Sequence, residues 1–153
     1  MLGDVAAAAL AVGRVVVVTD DAVVSPRGVE VVPDPGDGLS AAVAAGLARA
    51  DGHALVVNAD LPCATPAALE RLAAAGLALV AAADGTTNAL SLPDPSVFAP
   101  LHGPGSAARF LAHAPFDVVA IPELVDDVDT GEDLERLAAR LGPRTRALVA
   151  VHA

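Results

Sequence analysis

HALVVNADLPCATPAALERLAAAGLALVAA, residues 53–82, decides how this chain folds. Two continuously apolar, β-branched runs, HALVVNAD (53–60) and LALVAA (77–82), enclose one stretch of helical length, TPAALERLAAAG (65–76). Thr65 followed by Pro66 reads as an N-cap with proline at the first helical position, and Glu70 and Arg71 fall on the polar side of that helix. The same alternation continues outward. RVVVVTD (14–20) and GVEVVPD (28–34) read as strands, and GLSAAVAAGLARA (38–50) reads as a helix. Apolar strands alternating with helices imply an α/β fold whose sheet is largely parallel and covered on both faces.

The chain opens in a helical stretch, LGDVAAAALA (2–11), without a strand or a glycine-rich phosphate loop before it. Near the other end, Thr-Gly-Glu-Asp at 130–133 supplies an N-cap with an acid three positions on, and the spacing predicts a helix from there to Gly142-Pro143. RALVAV (146–151) reads either as a short terminal strand or as an ordered tail, and the pattern does not choose between them.

With 153 residues, 54% of them hydrophobic, the chain is long enough for one domain (1–153) with a sizeable core. Only 2% of residues are aromatic, all of them phenylalanine, so the core is built from small aliphatic layers. The longest apolar run, Leu72 to Ala83, is shorter than the roughly 18–20 residues of a membrane span and is flanked by Arg71 and Asp84. Nine basic residues, all arginines, stand against 19 acidic ones, for a net charge of −10. That balance disfavours nucleic acid and anionic membranes as partners. Asp4 and the lack of an early basic region argue against a secretory signal, which leaves a cytoplasmic protein as the expectation. The single cysteine, Cys63, excludes an internal disulfide and reads as a buried filler.

Three constellations carry chemistry. Asp60 closes HALVVNAD before Leu61-Pro62 turns the chain, where a parallel sheet presents residues to ligands. Asp127 and Asp129 lie at i, i+2, an extended spacing that puts both on one face about 7 Å apart. All-oxygen ligation favours magnesium or manganese; a solvated turn in which Asp129 or Thr130 caps the next helix is the competing reading. DGTTNAL (84–90) offers hydroxyls, an amide and backbone N–H groups able to hold an anion. HGPGSAAR (102–109) opens a predicted helix, GSAARFLAHA (105–114), whose first turn with Ser106 and Arg109 suits a phosphate. Arg109 is the electrostatic candidate for that contact; Ser106 as a plain N-cap is the alternative.

Taken in order, NADLP (58–62), DGTTNAL (84–90), GPGSAAR (103–109) and DVDTGEDL (127–134), with GDGLSAAVAAGL (36–47) before them, resemble the 2-phospho-L-lactate and phosphoenolpyruvate guanylyltransferases of deazaflavin coenzyme F-420 biosynthesis. The resemblance implies a three-layer Rossmann-like nucleotidyltransferase fold with a mixed, mostly parallel sheet. It also implies GTP and a small three-carbon phospho-acid as substrates, with Mg2+ as cofactor. By motif, Asp60, Asp127 and Asp129 become catalytic magnesium ligands, and Thr87, Gly103 and Ser106 hold the phospho-acid. Family members normally begin with a strand and a basic K-x-x-x-A-K-[ST]-R-L loop, so the expectation is an N-terminally incomplete domain. A sheet lacking that strand has exposed edges, to be covered by homodimer formation or by RALVAV. Ser40 replaces the asparagine of the family's GLN segment, and Phe110 stands where histidine is common.

Overall fold

A computed structural model describes residues 1–21 and 26–152. Every element expected in the first half forms. Helix α1 spans Leu2–Leu10, strand β1 Val16–Val18, β2 Glu30–Val32, α2 Leu39–Leu47, β3 Ala54–Val57, α3 Pro66–Ala74 and β4 Ala78–Ala81. Thr65 caps α3 as its spacing predicts, its hydroxyl accepting from the Ala68 amide at 3.2 Å. Next come β5 (Thr87–Leu92), α4 (Ser106–His113), β6 (Asp117–Val118), α5 (Pro122–Val125), α6 (Gly131–Arg136) and α7 (Pro143–His152).

The strands form two sheets among the described residues. β1 and β2 pair in parallel, and a four-stranded sheet runs β3-β5-β4-β6. In the larger sheet β5 runs antiparallel to both neighbours, while β4 and β6 are parallel. The mixed α/β expectation therefore holds, with β5 as the reversed strand. Helix α2 packs on β1, and Gly46 sits so close that a Cβ there would stand 3.2 Å from Val18. Among the described residues, β1 and β3 are each hydrogen-bonded to a strand on one side only.

The main core lies under α1, α3 and α5 and is aliphatic, with Leu61, Leu69, Leu72, Val80 and Leu124 wholly or almost wholly buried. A second cluster on the α4 side gathers all three phenylalanines, Phe110 meeting Phe116 edge to face at 5.7 Å between centroids. Phe110 is fully buried, so its side chain is committed to packing. A third, smaller cluster joins Cys63 to Val128, Leu137 and Leu141; the cysteine is 3% exposed, the buried filler expected of it.

The C-terminal third departs from expectation. The helix from Thr130 is short: α6 ends at Arg136 and the chain turns before Leu141. RALVAV is neither strand nor tail but lies within α7. The reason is a cap supplied from the opposite end of the chain. The Asp4 carboxylate accepts from the amides of Arg144 (3.0 Å) and Thr145 (2.7 Å) and from the Thr145 hydroxyl (2.7 Å). Those amides are orphan donors of the first turn after Pro143, and a carboxylate there also meets the positive end of the helix. Asp4 is 4% exposed. Burial opposes its ionisation, but the Thr145 hydroxyl and the two amides outweigh burial and hold the carboxyl below its usual range. A Cβ on Gly142 would collide with this carboxylate, which explains glycine there.

Asp4→Ala should cost about 2–4 kcal/mol, because it strands buried donors as well as deleting hydrogen bonds to a charge. Urea denaturation measures it, and a loss below about 0.5 kcal/mol would show that the cap does not hold the termini together. The carboxyl is depressed in the native state, so its contribution is complete above the unfolded value near 4 and disappears as pH falls through the native value.

Candidate active site

Strand β5 carries the site. All six of its residues are buried, including Thr87, Asn88 and Ser91. A polar group buried on a strand needs a partner, and each of these finds one on a different segment. The Ser106 hydroxyl donates to Thr87 Oγ1 at 3.0 Å. Asn88 Nδ2 donates to the carbonyls of Leu124 (3.2 Å) and Val125 (2.9 Å). Ser91 Oγ lies 2.9 Å from His53 Nε2. Asn58, the residue after β3, joins the group, its backbone N–H donating to Asn88 O at 3.0 Å and its side chain to Thr87 O at 3.3 Å.

The structure therefore brings Thr87 and Ser106 together, as their motifs suggest. Ser106 is not the N-cap of α4; Gly105 holds that position at φ 69°, and Ser106 turns inward, 1% exposed. Because Ser106 spends its proton on Thr87, the Thr87 hydroxyl keeps its own to donate. Gly103 (φ 115°) shapes the loop ahead of the helix in a conformation that favours glycine. The Arg109 guanidinium folds back on this loop, donating through Nε (3.1 Å) and Nη2 (2.7 Å) to Leu101 O and through Nη1 to Pro104 O. Nη2 also stands 3.6 Å from where a Gly103 Cβ would be, so a positive charge flanks the loop. On the far side, the His102 amide donates to Ser40 Oγ at 3.1 Å, tying α2 to the loop. Burial and the charge of Arg109 lower the His102 pKa, leaving the ring neutral near pH 7.

The acidic half lies beyond the other end of Asn88. Val128 N donates to Asp60 O at 3.2 Å, which places the 127–129 segment against the turn after β3. In the run Asp126-Asp127-Val128-Asp129, the first carboxylate is taken by arginines: Arg136 and Arg140 each donate to Asp126 at 2.7 Å. The competing capping reading goes to Thr130, whose hydroxyl accepts from the Asp133 amide while Asp133 reaches back to Thr130 N. Hydrogen bonds from Arg136 and Thr130 hold Asp133 down at about 2. Asp129 is thus not needed as a cap. Burial raises Asp60, reinforced by the charges of Asp127 and Asp129. Burial also raises Asp127, with Asp129, Asp84 and Asp133 adding to it. One buried oxygen, Asp60 Oδ1, has no hydrogen-bond partner. An orphan oxygen among mutually repelling carboxylates fits a hard cation. Among the described residues, no group of three carboxylate, imidazole or thiol side chains stands close enough to form a ready metal cluster.

The amide of Asn88 and the hydroxyl of Ser40 stand out in the sequence, but their partners, Leu124 and Val125 for one and His102 for the other, lie far away in the chain, as does the Asn88 partner of Asn58. Cys63 stays outside the chemistry, its thiol pushed up chiefly by burial. Among the described residues no helix is long and apolar enough to cross a membrane.

Residues 1–117 match the MobA-like NTP transferase domain. A phosphoenolpyruvate guanylyltransferase of Thermomonospora curvata is 44% identical over 168 residues, covering 96% of this chain and 74% of the relative. Proteins of the same name from Streptomyces scabiei and Streptomyces coelicolor are 38% and 40% identical, over 95% and 96% of this chain and 77% and 79% of theirs. Among solved structures, a hypothetical transferase from Thermus thermophilus matches with a TM-score of 0.59 at 21% identity, over 88% of this chain and 85% of that one, a likeness of fold.

Because Asp60 and Asp127 are raised, the sign of their effect is opposite to that of Asp4. The native state resists ionising them, so the penalty is absent below the unfolded value near 4 and grows as pH climbs through the native values. Asp60→Asn should raise stability at pH 7 by roughly 1 kcal/mol, about 2–4 °C in thermal midpoint. The advantage should shrink towards pH 4; a difference independent of pH would show that the carboxylates do not repel one another.

Proposed function

The chain belongs to the MobA-like NTP transferase family and to the phosphoenolpyruvate guanylyltransferases, and on that premise we propose that it transfers GMP from GTP to a three-carbon phospho-acid with release of pyrophosphate. The observation that carries this reading is the meeting beside β5 of two unlike half-sites, the neutral hydroxyls of Thr87 and Ser106 on one side and unneutralised carboxylates on the other. Phosphoenolpyruvate is the acceptor favoured by the names of the relatives. 2-Phospho-L-lactate shares its acceptor chemistry, and either product would serve deazaflavin coenzyme F-420 synthesis in the cytoplasm.

In this scheme a phosphate oxygen of the acceptor attacks the α-phosphorus of GTP. A new P–O bond forms, the bond from the α-phosphorus to the bridging oxygen breaks, and pyrophosphate leaves with the electron pair. The nucleophile is already anionic at neutral pH, so no general base is required, in keeping with a site whose His102 is half-buried and neutral. Thr87 and Ser106 orient the acceptor, and the Gly103 loop brings backbone close to it without a side chain. Arg109 stiffens that loop and lends it positive charge. Asp60, with Asp127 and Asp129 drawn towards it, would hold magnesium, which when bound would neutralise the crowded phosphate charge. The charge balance supports a divalent ion: with no lysine and a net charge of −10, arginine is the only cationic side chain available.

Pyrophosphate release from GTP, Mg2+ and phosphoenolpyruvate tests the reading directly; folded protein that releases none with either phospho-acid would overturn it. Ser106→Ala should raise KM for the phospho-acid about tenfold with little change in KM for GTP, as expected for loss of a hydrogen bond to one substrate. Equal effects on both substrates would remove Ser106 from the acceptor pocket.

A further inference from the structure

We propose that Asn88 is a positioning residue that aligns the carboxylate segment 124–129 with the acceptor pocket, so that one buried amide sets the spacing between the two half-sites. The inference rests on the reading above for what the half-sites bind, but its geometry stands independently.

Three observations converge on this side chain. First, the ladder between β4 and β5 breaks at this point: Val80 pairs with Ala89 and Ala81 with Thr87, so Asn88 faces no residue of β4. A bulge of this kind re-aims a side chain, and bulges concentrate beside active sites. Second, the amide is 1% exposed and spends its Nδ2 donors on the carbonyls of Leu124 and Val125, the last residues of α5. Two residues after Val125 comes Asp127, and next the Val128 amide that binds Asp60 O. Third, its neighbour Thr87 accepts from Ser106, and its own carbonyl accepts from Asn58 N, two residues before Asp60. The acceptor hydroxyls, the Asp60 turn and the Asp127–Asp129 segment thus all meet at Thr87–Asn88.

The chemistry calls for an amide. Two carbonyls facing one side chain need two protons, which Asn88 supplies from a single nitrogen. Aspartate has the same shape but, when ionised, no proton to give; it would oppose two carbonyls and add a fourth negative charge beside Asp60, Asp127 and Asp129. Leucine would fill the space and leave both carbonyls unpaired. Asn88 Oδ1 has no partner. The position is therefore occupied for its donors, at the expense of an unsatisfied acceptor, which simple core packing would not select.

Two readouts independent of turnover test this. The first is Mn2+ affinity by electron paramagnetic resonance; the second is hydrogen exchange of the amides of residues 125–129. Asn88→Asp, which preserves shape, should weaken Mn2+ binding by about 10–100-fold, the usual effect of losing a group that orients metal ligands, and should speed exchange in 125–129. Asn88→Ser is smaller and leaves room for water to replace the donors; it should fold and show the same pattern in weaker form. Leu90→Ala, a cavity in the same strand, should lower stability without moving either readout. Thr87→Val should raise KM for the phospho-acid while leaving Mn2+ affinity in place. Unchanged Mn2+ affinity and exchange in folded Asn88→Asp and Asn88→Ser would overturn the proposal, as would the same changes in Leu90→Ala. Wild-type protein that binds no Mn2+ would overturn the metal reading, and exchange in 125–129 would then decide the role of Asn88 on its own.

Discussion

A strand buried on every residue cannot leave its polar side chains to water, and β5 carries three of them. The rest of the molecule is arranged around that constraint. Thr87 is answered by α4, Asn88 by the end of α5 and Ser91 by the start of β3, so the reversed strand is stapled to three segments remote in sequence. The staples of Thr87 and Asn88 operate where water is excluded, which makes an unmet partner expensive and the arrangement specific. The antiparallel direction of β5 matters as much as its composition: it brings Thr87 and Asn88 level with Asn58, just before the Asp60 turn.

Charge is distributed with equal economy. Arg136 and Arg140 are drawn to Asp126, and Arg14 to Glu30 at 2.6 Å. Arg109 is drawn to loop carbonyls. Asp60 and Asp127 are instead raised by burial and by neighbouring carboxylates, Asp127 and Asp129 acting on Asp60, and Asp129, Asp84 and Asp133 on Asp127. A single residue, Asp126 against Asp127, separates a carboxylate held below its usual range by arginines from one held above it. Side chains bearing the same formal charge thus do opposite work, one fastening α5 to α6 and the following turn, the other joined to no arginine among the described residues.

How much of this was legible in the sequence differs by region, for physical reasons. β1 to β4 and α1 to α3 announce themselves because β-branched runs, alanine-rich stretches and the Thr65-Pro66 cap act locally. The C-terminal helix does not, because its cap, Asp4, lies 140 residues away; RALVAV alone lacks the information. Likewise, Asp127 and Asp129 can be read from their spacing, but that Asp126 is spent and Thr130 does the capping depends on where Arg136, Arg140 and Asp133 lie. Arg109 was recognisable as a positive charge beside a glycine turn, whereas the direction of its guanidinium followed from the path of the loop. Asn88 looked like one more polar residue in a turn, because a bulge exists only relative to the neighbouring strand.

Cys63 offers no chemistry to the site, yet its burial against Val128, Leu137 and Leu141 gives it a different significance. It is the one thiol in the chain, and of the residues that shield it Val128 lies between Asp127 and Asp129, while Leu137 and Leu141 follow α6. A disulfide reagent can reach it only when this cluster opens. The rate of thiol labelling therefore acts as a clock for local opening, reporting the free energy that separates the closed cluster from the open one without any engineered label.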